Sequence, residues 1–306
     1  MNVFLLLLGK IIPLYLLILL GFAAGKKLQA KKETVASLLI YIIAPLVIFH
    51  GVAITTLSMA TVMLPLLFLG LCYITCGLAY IVGKLMWRDT TANIFAFTGG
   101  TGNTGYFGIP VAIALFGDSA LGPMALATLG FILYECTLGI YVTARGNFTA
   151  RQSIRKILLL PSIYAFLIGL AANVAQIPLN ETYQAFALNI RGAYSVLGMM
   201  LIGLGLSDVK RWKPDFAFFG LTFLFKFALW PGLIALVLWI DSAYLHAYDE
   251  LTRGTMVLLS VVPLAANTVA WATELKAQPE KAAMAVLAST LFALVYIPLV
   301  AVAFLQ

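Results

Sequence analysis

Two Asn-Thr pairs lie beside helix breakers in otherwise apolar stretches. Asn103 and Thr104 fall within "TGGTGNTGYFGIP" (98–110), a run with five Gly that ends on Pro110. Asn267 and Thr268 fall within "LLSVVPLAANTVAWAT" (258–273), four residues after Pro263. A helix interrupted at lipid depth exposes N–H groups at one new end and C=O groups at the other. The N-terminal end favours an anion and the C-terminal end a cation. Asn and Thr cap such ends, and they can also hydrogen-bond a ligand. Gly99, Gly100, Gly102 and Gly105 permit unusual backbone angles and close approach of a ligand or a second chain. The alternative is that these glycines only pack against a neighbouring helix. A matching break in a second run favours a binding site. That site would combine Gly102, Asn103, Thr104 and Gly105 with Pro263, Asn267 and Thr268.

Ionisable residues within apolar segments are costly and mark candidate functional positions. Glu135 and Lys226 are such residues, and His50 lies near the end of its segment. Lys226 would attract an anionic substrate or pair with Glu135; Glu135 would carry a coupling proton or neutralise Lys226. His50 is read as an interfacial residue or as a proton-linked group. Lys10 is near enough to an end to snorkel.

These residues need a scaffold that places breaks in mid-membrane. The 306 residues are 62% hydrophobic and 10% charged, with mean hydropathy +1.02, too apolar to cover a soluble surface of this length. The expected class is an all-α polytopic membrane protein. Ten spans are read at roughly 3–25, 34–54, 61–83, 93–116, 120–143, 157–175, 192–207, 216–240, 252–273 and 282–304. Lys10 interrupts the first span, and no small-residue cleavage site follows it, so it is not read as a signal peptide.

Fifteen of the 19 Lys and Arg residues collect on one side. They are Lys26, Lys27, Lys31, Lys32, Lys84, Arg88, Arg145, Arg151, Arg155, Lys156, Lys210, Arg211, Lys213, Lys276 and Lys281. The opposite loops receive only Arg191 and Arg253. This bias puts both termini outside the cytoplasm. The net charge of +7 is therefore a topology signal, not a nucleic-acid footprint. Ten spans divide into five-helix halves, 1–150 and 151–306. An odd number per half makes the repeat inverted, with the broken fourth and ninth helices as partners.

Cys72, Cys76 and Cys136 lie within spans with no His nearby, so they read as small buried residues and neither a disulfide framework nor a metal site. Pro45, Pro231 and Pro298 are read as kinks, Gly21 and Gly25 as a packing face, and several Trp as an aromatic belt.

The stretches "GNTGYFGIPVAIALFG" (102–117), "VVPLAANTVAWATELKAQPEKAAMAVLASTLFALVYIPL" (261–299) and "LLGFAAGKKL" (19–28) resemble the auxin efflux carrier family, which includes plant PIN carriers and bacterial organic-anion permeases. The resemblance implies that helices four and nine cross at their breaks. It also implies a scaffold of helices 1, 2, 6 and 7, a moving transport unit of helices 3–5 and 8–10, and a homodimer formed through scaffold helices. The family's ligand-contacting Asn falls on Asn103 and its second crossover Pro on Pro263. Gly102 departs from the plant pattern, which has Pro there. The long cytoplasmic loop of many plant members is absent, as in a compact prokaryotic member of a bacterial inner membrane. Bile-acid symporters share this architecture and use sodium.

The function expected is a secondary carrier of small organic anions, carboxylates of auxin-like or dicarboxylate type, working by alternating access with substrate at the crossing. No cofactor is implied; a coupling proton, a sodium ion or neither stays open. A sodium-coupled bile-acid-like symporter and a non-transporting ligand sensor are the alternatives. HExxH, a nucleophile elbow and a paired intramembrane Asp are all missing from the sequence, which argues against an enzyme.

Overall fold

The computed structural model describes residues 3–54, 59–146, 159, 161–207 and 215–304. Arg151, Arg155, Lys156, Lys210, Arg211, Trp212, Lys213 and the boundary at 150/151 lie outside the described residues, as does the side chain of Lys10.

The described residues form helices and no strand. In chain order they are α1 Val3–Leu28, α2 Lys32–Ala53, α3 Met59–Met86, α4 Thr91–Gly100 and α5 104–116. Next come α6 121–144, α7 Pro161–Val174, α8 Glu181–Ser207 and α9 Phe216–Leu245. The last are α10 Glu250–Val261, α11 Asn267–Glu274 and α12 Pro279–Phe304. Five described helical stretches are long and apolar enough to cross a bilayer: α2, α3, α8, α9 and Leu126–Ala144 of α6.

Small residues set the closest packing. A Cβ added at Gly21 would run into the backbone of Met200, one at Gly25 into Ser207, and one at Gly203 into the backbone of Ile18. Gly21 and Gly25 therefore let α1 lie directly against α8, the packing role read for them. α2 packs against α7, where Asn173 Nδ2 donates to the carbonyl of Val52 at 2.8 Å.

Helix α8 begins eleven residues before the expected span. Asn180 Oδ1 accepts from the N–H of Tyr183 at 2.9 Å and fixes that start. The first turns, "ETYQAFALNIR", are too polar to register as membrane helix by hydropathy. Arg191 is thus a helical residue, ten positions into α8, and not a loop residue.

The prolines sit beside widened turns. π turns at Leu39–Ile43, Thr104–Gly108 and Phe225–Leu229 each precede a Pro by two residues: Pro45, Pro110 and Pro231. Proline lacks an N–H and crowds the carbonyl four residues earlier. For Pro231 that carbonyl is Phe227, which accepts from the Tyr296 hydroxyl at 2.9 Å. Pro45 and Pro231 are thereby held within continuous helical stretches. α12 instead bends by 41° between Ala293 and Val295, around the residue four positions before Pro298.

Trp230 is fully buried and stacks near Phe131 (5.3 Å) and Phe68 (6.5 Å), and Trp271 is also buried. Both belong to the core and not to an aromatic belt. Trp239 is exposed beside Tyr244, as a belt residue would be. The three cysteines are buried and free.

Candidate functional site

The first break falls after Gly100. Thr101 is extended, with φ −107° and ψ 160°, and the chain re-enters helix at Thr104. Asn103 caps the new N-terminus: its Oδ1 accepts from the N–H of Phe107 at 3.2 Å, and its carbonyl accepts from Gly108 at 2.9 Å. The second break runs through Val262–Ala266, all buried. The two breaks touch backbone to backbone, because the N–H of Asn103 donates to the carbonyl of Pro263 at 2.7 Å.

The carbonyl end of α4 is closed by three side chains. The Tyr134 hydroxyl donates to Phe97 O at 2.9 Å, the Trp230 indole N–H to Gly99 O at 2.7 Å, and Lys226 Nζ to Thr101 O at 3.3 Å. Glu135 and Lys226 each lie in a π turn, Glu135–Gly139 and Phe225–Leu229, a deformation frequent at functional positions. Among the described residues they form no ion pair with each other. Both are bound to Thr101 instead, Lys226 to its carbonyl and Glu135 Oε1 to its hydroxyl at 2.7 Å.

A polar chain extends from there across the bundle. Asn267 Nδ2 donates to Glu135 Oε2 at 3.0 Å, and the Tyr194 hydroxyl of α8 donates to Asn267 Oδ1 at 2.8 Å. The two Asn-Thr pairs are therefore not equivalent. Asn103 caps a helix, whereas Asn267, the first residue of α11, uses its side chain on Glu135 and Tyr194. Thr268 is fully buried with an unpartnered hydroxyl, and it is absent from the cavity wall.

The glycines also divide. A Cβ on Gly99 would come 2.7 Å from Ala79 Cβ, and one on Gly100 would press on Tyr134 and Cys72, so both pack against neighbouring helices. Gly102 and Gly105 reach the cavity. None of the four uses positive φ: Gly117 is the one described glycine that does.

A cavity of about 230 Å³ lies at the crossing. Gly102, Asn103, Thr104 and Gly105 form one wall; Ala265, Ala266 and Asn267 form another, with Glu135 between. α2 supplies His50, and α8 supplies Arg191 and Tyr194. Pro263 contributes its carbonyl to the crossing and Lys226 lies behind it; neither lines the cavity. Three buried polar atoms of wall residues have no partner: Asn103 Nδ2, His50 Nδ1 and Thr128 Oγ1. Buried donors are normally satisfied, so the unpartnered amide of a residue that lines the cavity is a candidate donor to a ligand. His50 is buried here, with Tyr183 5.7 Å from its ring.

Thr101, Tyr194 and Arg191 escape a reading of the sequence. Arg191 had a usable signal, since Asn180 followed by "ETYQAFALNIR" carries a helix cap that extends α8 outward. Nothing local distinguishes Thr101 or Tyr194; their roles come from the fold.

Residues 6–301 match the family described as "Membrane transport protein". The chain belongs to this family, the auxin efflux carriers. It is 26% identical over 300 residues to a protein of Rhizobium meliloti (strain 1021) named "Putative malonate transporter", covering 92% of this chain and 91% of that one. It is 24% identical over 277 residues to an uncharacterized transporter of Methanocaldococcus jannaschii, covering 82% of this chain and 90% of that one. As a family member the chain is a membrane transport protein, and it spans nearly the full length of both relatives.

Proposed function

We propose that this auxin efflux carrier family member is a secondary carrier of small organic anions, with short dicarboxylates of the malonate type as the first substrates to test. The observation that carries the reading is the cavity wall at the crossing. There Asn103, whose buried amide nitrogen has no partner, and Arg191 line one space of small-molecule size. A carboxylate would accept from Asn103 Nδ2 at the N-terminal end of α5, where the helix dipole favours negative charge. Arg191, on α8, suits a second carboxylate because its fork matches carboxylate geometry. The relative named for malonate supports this substrate class.

In the same reading the chain forms ten spans in two inverted halves, with α4/α5 and α10/α11 as the broken fourth and ninth. α1, α2, α7 and α8 serve as scaffold, and the other helices move past them. The Tyr194–Asn267 hydrogen bond, which joins α8 to α11, would break and re-form in each cycle. Both termini lie outside the cytoplasm.

A thermal-shift screen of mono- and dicarboxylates, at several pH values and with or without sodium, tests the reading. Stabilisation by a short dicarboxylate supports it. A flat response to every carboxylate from folded protein would count against it.

A further inference from the structure

Lys226 stands where a broken membrane helix ordinarily binds a cation. Unwound carbonyls and half-helix C-terminal ends coordinate coupling ions in secondary transporters. The corresponding end here is that of α4. Its Thr101 carbonyl receives Lys226 Nζ at 3.3 Å, while Trp230 and Tyr134 occupy Gly99 O and Phe97 O. The ammonium is held from behind by the faces of Trp230 (5.1 Å to the centroid) and Phe131 (5.9 Å), and the residue is 1% exposed. The sequence makes room for it: a Cβ on Gly102 would fall 2.9 Å from Nζ. A side chain at that position would force the ammonium to shift.

We infer that the Lys226 ammonium is a built-in cation, tethered at the carbonyl end of the first broken helix, and that it makes the transport cycle independent of sodium. Glu135 fits this arrangement. It compensates the ammonium through Thr101, one residue serving both charges, and leaves the carbonyl end to Lys226. A mobile cation would have to displace a covalently attached one of the same charge. Lys226 acts here as a positioning residue, since it lies behind the cavity wall and reaches the substrate space only through Thr101 and Gly102. The transport part of the inference rests on the carrier reading above; the cation site itself does not.

The test uses the full chain and two readouts. Purified wild-type protein, Lys226→Ala and Lys226→Met are first melted in sodium chloride, choline chloride and methylammonium chloride. Wild type is expected to melt at the same temperature in all three. Lys226→Ala, with its site emptied, is expected to gain about 3 °C or more from sodium or methylammonium over choline. Lys226→Met keeps an aliphatic stem against Trp230 and is expected to gain less. Malonate counterflow in proteoliposomes follows. Wild type should run equally in sodium and choline, and Lys226→Ala should run about tenfold or more slower in choline and recover with methylammonium. A wild-type protein stabilised or driven by sodium would overturn the inference. So would a folded Lys226→Ala protein that ignores both small cations. Absence of wild-type counterflow in every salt would instead count against the carrier reading, and the melting data would still decide the cation site.

Discussion

The backbone N–H of Asn103 donates to the carbonyl of Pro263 across 2.7 Å, so the two helix breaks are bonded to each other without a side chain between them. Each break satisfies part of the other's exposed backbone, which explains how two interruptions coexist within lipid depth. It also leaves the Asn103 side chain free to cap α5 with its oxygen, while its buried amide nitrogen has no partner.

Those two tasks of Asn103 are separable. Asn103→Ala should lose both the cap, about 1 kcal/mol, and the ligand donor. Asn103→Ser keeps a capping oxygen and lacks the amide. It should melt nearer to wild type yet bind carboxylate about tenfold more weakly, as for loss of one hydrogen bond to a charged group. Melting curves with and without malonate measure both effects. Equal ligand stabilisation in wild type and Asn103→Ser would show the amide to be structural only.

Arg191 lines the same cavity as the residues of the breaks. Replacing it with Gln should weaken dicarboxylate binding by about tenfold while changing monocarboxylate binding little, because only a dicarboxylate uses both poles. Competition of malonate and acetate against a radiolabelled substrate reads the ratio directly. Parallel losses for both acids would place Arg191 outside the recognition of the second carboxylate.

Glu135 takes one donor on each oxygen, Thr101 on Oε1 and Asn267 on Oε2, the arrangement that suits an ionised carboxylate. A proton on either oxygen would disturb one of these bonds and, through Asn267, the link to Tyr194. Glu135→Gln should therefore flatten the pH dependence of uptake. Uptake measured from pH 5 to 8 in both proteins provides the check, and an unchanged profile at an unchanged rate would remove Glu135 from coupling.

At one end of the bundle Lys281 Nζ reaches both Thr91 Oγ1 and Asp215 Oδ2 at 2.9 Å, tying α12 to the first residue of α4 and the N-cap of α9. Partial burial alone would raise the pKa of Asp215. The hydrogen bonds from Lys281 and the Phe218 N–H, with the charge of Lys281, outweigh it and hold the carboxyl below its usual range. A depressed folded-state pKa stabilises above the ordinary carboxylate value, about 3.9, and the gain is lost as pH falls through the folded value. The pair is partly exposed, so its worth is about 0.5 kcal/mol. Asp215→Asn retains a helix cap and should lose only this increment; Asp215→Ala should lose about 1 kcal/mol more. Melting at pH 7 and pH 3 should show a wild-type advantage over Asp215→Asn that is full at pH 7 and smaller at pH 3. An advantage of equal size at both pH values would contradict the ion-pair account.

The breaks were legible in the sequence because Gly and Pro inside apolar runs act through local backbone chemistry. Asn103 and Pro263 could be marked from their neighbours alone. The pairing of Asn267 with Glu135 could not, since it depends on how helices 132 residues apart are brought together. The same reason hid Thr101, whose hydroxyl and carbonyl acquire partners only from α6 and α9. Arg191 was misplaced for a different reason: hydropathy reports lipid exposure, and the first turns of α8 are polar. Gly99 and Gly100 follow the packing alternative: their positions are set by contact with Ala79, Cys72 and Tyr134, which glycine content alone does not distinguish from ligand access.

The central claim is that the crossing binds and carries a small organic anion. Counterflow of radiolabelled malonate into proteoliposomes loaded with unlabelled malonate tests it most directly. The account predicts saturable uptake that needs internal malonate and falls about tenfold or more in Asn103→Ala. No counterflow by folded, correctly reconstituted wild-type protein, with malonate or any other short carboxylate, would contradict it.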